Sequence, residues 1–388
     1  MKARKWIPQR YQVNKQIQAI LKSGHPWIFR SHVSSAIEVF SSGQLLKLVD
    51  HDNRTLGYGL YDPEGLIAIR LLGVGIATPS PGWFRERIRQ ALLKRNQLRK
   101  YTEAFRALHG ENDGFPGIVM DVYGETGVLQ TYSSSVDSLG RYLSELVALE
   151  LNLKNIIWKL PTKRTGVKES STARVLKGHL ARQIKFREGK MEFSVQVGEG
   201  QKSGAFLDLR ALRKWLAAQN LKGKRVLNLF SYTGTLGLAA EVAGAREVWN
   251  VDISSGALAT AAKFHVLDKS KHRFIKADIF DWLKNLPPKE MFDLIVVDPP
   301  QMTSQTAQIP VALKAYRQLY SLSLKHLSAK GMIVGACCTS RISRAKFKET
   351  VCPILMPPLQ LIKTLEPEDD HPVGFPEGDY LKVMVFGY

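Results

Sequence analysis

The stretch from Arg225 to Asp252 constrains the fold of this chain more than any other. A short apolar run, Val226 to Phe230, has the length and composition of a buried parallel strand. A tight turn follows at Ser231-Tyr232-Thr233-Gly234, and then an Ala-rich helix that stops at Gly244. A second strand, Glu247 to Val251, ends on Asp252. This is one strand–helix–strand unit of a doubly wound α/β sheet, with a carboxylate at the tip of its second strand.

Two classes of ligand use such a layout. A dinucleotide wants three spaced glycines, because its pyrophosphate must approach bare backbone at the helix N-terminus. Here only Gly234 and Gly237 are present, and the first glycine is missing. S-adenosylmethionine has no phosphate. It needs close backbone approach at one glycine, plus an acid to accept both ribose hydroxyls. Phe230, Ser231, Tyr232 and Gly234 supply the turn, and Asp252, followed by Ile253, supplies the acid. The pattern favours S-adenosylmethionine over a dinucleotide, and a turn that binds nothing is the remaining alternative.

With 388 residues the chain is long enough for two or three domains. The net charge of +20 attracts a polyanion through counterion release, which points to nucleic acid. No apolar run approaches the roughly 18 residues that a membrane span needs. The basic start, Met1 to Trp6, lacks the apolar core of a signal peptide. Cys337, Cys338 and Cys352 are too few and too clustered for a disulfide framework and have no metal-ligand spacing. A cytoplasmic setting without a metal or membrane is therefore expected.

Read in order, residues 1–75 predict a small β domain. Runs at Leu45 to Val49, Leu56 to Tyr61 and Leu66 to Leu72 alternate with turn signals. Ahead of them, Gly24 to Arg30 offers an aromatic pair and an arginine, for packing or for RNA; packing is the preferred reading of the aromatics. Residues 76–198 predict an α+β middle domain that opens with a basic amphipathic helix. Phe84, Ile88, Ala91 and Leu92 share one face of it, and Arg85 and Arg89 stand on the other, a solvated face or a phosphate-tracking one. Strands are expected at Ile118 to Tyr123, Val128 to Tyr132 and Asn155 to Lys159, with a basic loop from Pro161 to Arg174 and a hairpin turning at Glu188-Gly189-Lys190. Residues 199–388 alternate strand and helix and end in two late strands, the seven-stranded Rossmann-like architecture of class I methyltransferases.

In an open α/β sheet, ligands bind beyond the carboxyl ends of the strands. Those ends carry Ser231 to Gly234, Asp252, Asp278 with Ile279, Asp298 and the pair Cys337-Cys338. An Asp after a strand is commonly a helix cap, but so many in register argue for a crevice. Asp298 is followed by Pro299 and Pro300, which fix the backbone and aim the acid at one point. Such an acid can hold cytosine N3 protonated and so make C6 attackable. A thiolate adding to C6 then turns the ring into an enamine whose C5 can accept a methyl group. Strand neighbours face opposite ways, so only one of Cys337 and Cys338 faces the crevice. A buried apolar role is preferred for Cys337 and Cys352.

Three segments carry a family resemblance: Asn228 to Gly234, Asp298-Pro299-Pro300 and Gly200 to Arg210. Together with Glu111 to Gly117, Pro376 to Lys382 and the Gly24 to Arg30 string, they resemble the RlmI-like family of 23S rRNA cytosine-C5 methyltransferases over nearly the whole chain. The resemblance implies a PUA-like RNA-binding domain, an α+β middle domain and a class I methyltransferase domain. It assigns the nucleophile to Cys338, and it implies that Gln201, Lys202 and Gly204 help to wall the cofactor pocket. Gln301 and Met302 depart from the family's Lys and aromatic after the two prolines, and Thr235 and Ala205 depart from its Gly and aromatic.

The expectation is a methyltransferase that uses S-adenosyl-L-methionine to form 5-methylcytosine in 23S rRNA or another structured RNA. Cys338 and Asp298 would be catalytic, Asp252 and Asp278 would hold ribose and adenine, and Pro299, Pro300, Arg30, Arg85 and Arg89 would meet the RNA. A guanine methyltransferase without covalent catalysis, or a non-catalytic ribosome-assembly factor, are the alternatives. A homodimer is left open.

Overall fold

The computed structural model describes residues 7–161, 173–197 and 205–388. The chain forms two compact units. One holds Met1–Phe186, Val195–Ser203 and Asp369–Phe375; the other holds Arg187–Ser194, Gly204–Glu368 and Pro376–Tyr388.

The first unit contains two five-stranded sheets. In the N-terminal one, Gln9–Gln12, Leu45–Val49, Thr55–Tyr61, Ile67–Val74 and Trp27–Phe29 lie side by side in that order. The alternation read from the sequence turns Leu46, Leu48, Ile69 and Leu71 onto one face, where Ile17 and Leu21 of the helix Lys15–Ser23 cover them. That helix begins at Asn14, whose side chain accepts from the Ile17 amide at 2.9 Å, and ends at Gly24 in the left-handed region. The second sheet runs Ala173–Lys177, Asn155–Lys159, Thr126–Thr131, Ile118–Tyr123, Ala104–His109. The predicted amphipathic helix, Pro81–Lys94, buries Phe84, Ile88, Ala91 and Leu92 against it, beside Leu143 and Val147 of the helix Asp137–Leu151.

Two strands of this sheet were not expected. Ala173–Lys177 begins within the stretch read as a basic loop; it is an edge strand exposed along most of its length, so no apolar alternation marks it. Ala104–His109 is buried along most of its length and so shows no period-two signal. Arg95, at the end of the helix, is fully buried and paired with the Asp113 carboxylate.

The second unit is built on a seven-stranded sheet. Its strands are β1 (Arg225–Leu229), β2 (Glu247–Asp252), β3 (His272–Lys276), β4 (Phe292–Val297), β5 (Leu327–Cys337), β6 (Gln360–Leu365) and β7 (Lys382–Gly387). The order across the sheet is β3-β2-β1-β4-β5-β7-β6. The first five are parallel, and β7 runs antiparallel between β5 and β6, as expected for a class I methyltransferase. Five helices follow β1 to β5 in turn: α1 (Thr235–Val242), α2 (Ser255–Phe264), α3 (Ile279–Asn285), α4 (Ile309–Leu324) and α5 (Arg344–Leu355). The central strands β1 and β4 and the C-terminal part of β5 are almost wholly buried, because helices cover both faces.

A buried polar ladder crosses the first three strands. Asn228 donates to Asn250 at 3.0 Å, Asn250 meets His272 at 3.1 Å, and His272 meets the Glu241 carboxylate of α1 at 3.0 Å. Burial lowers the His272 pKa, with Glu241 opposing the shift. Elsewhere in this unit, Glu188 sits fully buried between Arg210 and Arg213, with its carboxylate 2.8 Å from Arg213.

Candidate active site

Sheet register decides which residues can share a site. Leu229 of β1 lies beside Val251 of β2 and Val297 of β4, and Val297 lies beside Gly335 of β5. The residues at and just beyond the ends of these strands therefore emerge along one edge of the sheet: Phe230 to Gly234, Asp252, Asp298 to Pro300, and Cys338.

The turn after β1 is held under strain. Phe230 and Tyr232 have φ of 58° and 47°, a region that non-glycine residues rarely adopt, and Gly234 follows at 76°. Three bonds hold them there. Ser231 donates its amide to Val251 O at 3.0 Å, Gly234 donates to Ser231 O at 2.8 Å, and Tyr232 donates to Asp252 Oδ2 at 2.8 Å. The other carboxylate oxygen of Asp252 accepts from the Ser254 amide at 2.8 Å. Burial, and then the Asp252 charge, push the Tyr232 hydroxyl pKa up. Sequence reading asked for close backbone approach at one glycine; the positive φ of Phe230 and Tyr232 was missed because nothing in their type announces it.

The residues around this turn fit a ribosyl ligand without phosphate. Asp252 is buried, and each of its oxygens keeps a lone pair after its amide bond. Ser231 Oγ is buried without a hydrogen-bond partner among the described residues, an orphan that a polar ligand would satisfy. Ile253, beside the acid, is 65% exposed, and such a large apolar side chain at a sheet edge suits a flat base lying over it. Asp278 is exposed, and its Oδ1 caps α3 by accepting from Phe280 N at 2.9 Å and Asp281 N at 3.2 Å; Ile279 is buried. Gln201, Lys202 and Gly204 lie outside the described residues.

At the ends of β4 and β5, two side chains tie the loops together. Cys338 Sγ lies 3.4 Å from the Pro299 carbonyl, to which the thiol donates. Thr339 Oγ1 accepts from Met302 N at 3.2 Å and lies 3.3 Å from the Tyr316 hydroxyl. Cys338 is half-buried, whereas Cys337 is wholly buried in the core and Cys352 is partly buried in α5. Asp298 is half-buried and Pro300 is exposed. Beneath them, burial raises the hydroxyl pKa of Tyr316 and Tyr320, and the Asp298 charge adds to the shift at Tyr320. Both tyrosines escaped the sequence reading, and Lys382 on β7 entered it only as the end of the Pro376 to Lys382 segment, without a role. For Lys382 a signal existed: a lone lysine within the apolar run Leu381 to Phe386.

In the first unit, Arg30 donates to the carbonyls of Gly65 (3.0 Å) and Asp62, so its guanidinium holds a loop. Arg85 is exposed. Arg89 is exposed too, and bridges to Glu150 at 3.1 Å.

Comparison with known proteins agrees with this fold. Residues 163–386 match the S-adenosylmethionine-dependent methyltransferase family, and residues 12–73 match a PUA-like domain. The chain is 31% identical to a ribosomal RNA large subunit methyltransferase of Deinococcus radiodurans, across 97% of this chain and 96% of that protein. It is 30% identical to ribosomal RNA large subunit methyltransferase I of Pseudoalteromonas atlantica, across 93% and 94%. Among solved structures, a Streptococcus mutans protein described as a SAM-dependent methyltransferase superposes with a TM-score of 0.83 at 22% identity, over 98% of this chain and 100% of that one. Another, complexed with SAH, superposes at 0.84 with the same identity and coverage.

Fold and site thus define a class I methyltransferase. The chain belongs to the S-adenosylmethionine-dependent methyltransferase family and joins its methyltransferase domain to a PUA-like domain. Its cofactor is S-adenosylmethionine. Among the described residues no helix is long and apolar enough to cross a membrane.

Proposed function

We propose that the chain methylates large-subunit ribosomal RNA, forming 5-methylcytosine in 23S rRNA through a covalent adduct on Cys338. The names of the Deinococcus and Pseudoalteromonas relatives support the RNA class. The observation that carries the chemistry is the meeting of Cys338 Sγ with the Pro299 carbonyl at 3.4 Å, which puts the thiol beside the Asp298-Pro299-Pro300 turn.

Bound S-adenosylmethionine supplies an electrophilic methyl group on a sulfonium. Asp252, with Ile253 and the Phe230 to Gly234 turn, holds its nucleoside end. Cys338, as thiolate, adds to C6 of a cytosine while Asp298 stabilises the protonated N3, and ring electron density moves to C5. C5 would take the methyl group, leaving S-adenosylhomocysteine; a base then takes the C5 proton, that C–H pair forms the C5–C6 double bond, and the C6–sulfur bond breaks to regenerate the thiolate. The net charge of +20, the PUA-like domain and the exposed Arg85 and Arg89 suit a phosphate backbone, with the target base unpaired or flipped out. In this reading residues 1–75 and 76–198 serve RNA docking, and 199–388 serve chemistry.

RNA containing 5-fluorocytidine tests the proposal, because fluorine at C5 blocks the final elimination. A covalent complex with the wild-type chain that is absent in Cys338→Ala is the expected result. A complex that survives Cys338→Ala overturns the assignment.

A further inference from the structure

The segment Glu111 to Gly117 has no part in the chemistry above, yet it helps to wall a cavity beside the helix Pro81–Lys94 in the first unit. The cavity has a volume of about 370 Å³, and Trp83, Arg87, Gln90, Lys94, Asn112 and Asp113 are among its lining residues. The segment is pinned along its length. Glu111 Oε1 accepts from the Trp27 indole at 2.8 Å and from the Gly117 amide at 3.1 Å. Asn112 Oδ1 accepts from the Gly374 amide at 2.7 Å. Asp113 is buried, and its carboxylate is taken by Arg95 and by the His109 amide at 2.8 Å. Gly114 has a φ of 76°, and a Cβ there would strike the Arg87 guanidinium.

Arg87 is thereby set in one place. Its guanidinium lies against Gly114 and over the Trp83 ring, 4.7 Å from the centroid, and its Nε donates to Asp113 O at 3.1 Å. Its two terminal nitrogens have no hydrogen-bond partner among the described residues, and neither is sealed from solvent. The amide nitrogen of Asn112 is likewise unpaired and accessible. Lys94 is 58% exposed, and its ammonium lies 4.0 Å from the Asp113 carboxylate, beyond hydrogen-bond reach. Arg95 already neutralises Asp113, so Arg87 and Lys94 face one further carboxylate in the lining, Glu86, which accepts from Gln90 at 2.7 Å. A guanidinium fork held in place before a ligand arrives matches the oxygens of a phosphate, and a second cation beside it adds charge.

We propose that this cavity seats a backbone phosphate of the RNA substrate, with Arg87 as the two-bond fork, Lys94 as the second cation and Asn112 as an amide donor. This rests on the reading of the chain as an RNA methyltransferase and gives that RNA a docking point. Helical spacing puts Trp83, Arg87, Gln90 and Lys94 on one stripe of the helix, and the exposed Arg85 and Arg89 on another. A phosphodiester of a long polyanion is favoured over a small phosphate ester, because that second stripe and the net charge of +20 extend the positive field beyond the cavity. Such a contact positions the RNA and reads no sequence.

Lysine acetylation of the full-length protein, with and without in vitro-transcribed 23S rRNA at matched ionic strength, tests the site without a variant. Peptide fragmentation reads Lys94 against Lys154, which is 68% exposed and bridges to Glu125 at 2.7 Å. RNA should protect Lys94 and leave Lys154 reactive; equal protection of the two overturns the proposal. Inorganic phosphate at the same phosphorus concentration should leave Lys94 reactive. Protection by phosphate equal to that by RNA would make the cavity a small-anion site and overturn the RNA assignment. Filter binding is the second arm. Arg87→Gln and Lys94→Gln should each flatten the slope of log K against log salt by about 0.7–0.9 and weaken binding about four- to fivefold near about 150 mM salt. Arg87→Lys, which keeps the charge, should keep the slope, and Lys154→Gln should not change it. An unchanged slope in folded Arg87→Gln or Lys94→Gln overturns the proposal. If the wild type still binds 23S rRNA with a steep slope, only this site falls; if it does not bind that RNA at all, the reading of the substrate falls with it.

Discussion

Asp252 and Asp278 look equivalent in sequence, each an acid where a strand ends, and the structure separates them by their partners. Asp252 is buried and accepts from the Tyr232 and Ser254 amides, so it holds two loops, and in the proposed function it meets the ribose. Asp278 is exposed and caps a helix. Asp252→Ala should weaken S-adenosylhomocysteine binding at least about tenfold by calorimetry and destabilise the fold by about 1–3 kcal/mol, since two amides lose their acceptor. Asp278→Ala should cost only about 1 kcal/mol, the value of a cap, in urea unfolding. Equal losses of affinity in the two variants would refute the distinction. The residue type made both acids visible; burial, which assigns their roles, is not written in either residue.

The turn between β1 and α1 was legible as a turn because an apolar run meets a Ser-Tyr-Thr-Gly string and then an Ala-rich helix. What the string could not tell is how tightly the element is packed. A Cβ on Gly234 would lie 2.7 Å from the Cβ of Ala261 in α2, and the residue has a φ of 76°. Gly234→Ala should therefore destabilise the protein by about 1–3 kcal/mol and weaken cofactor binding. Gly256→Ala, on the same helix as Ala261 but with open space around it, should be neutral or slightly stabilising. Urea titrations of the two variants decide the matter, and similar midpoints would contradict the packing argument. The same logic explains the missed strands. Periodicity reports elements with one dry and one wet face, so the exposed edge strand Ala173–Lys177 and the largely buried Ala104–His109 left no period-two trace.

Across the whole molecule, chain order and compactness group residues differently. Residues 369–375 follow β6 but belong to the first unit, where Asp370 accepts from the Arg106 amide at 3.0 Å and Phe375 packs edge-on against Trp27 with ring centroids 5.1 Å apart. No composition shift marks this excursion, because a docking segment is defined by what it touches. Charge, by contrast, is additive and fully visible in the sequence. With +20 net, affinity for structured RNA should fall by about 10³-fold between about 50 and 200 mM salt if six or more phosphates are contacted. Filter binding across that range checks this, and a flat salt response would contradict a backbone-tracking surface.

The sequence by itself determined the sheet architecture, the class of cofactor and the basic character of the chain, since apolar periodicity, a missing glycine and summed charge are local or additive properties. Only the tertiary structure decided that Phe230 and Tyr232 carry positive φ, that Arg30 holds a loop, and that the Lys382 ammonium donates to the Thr339 carbonyl. Each of these depends on which residues from distant segments meet in low-dielectric surroundings, and that is a property of packing.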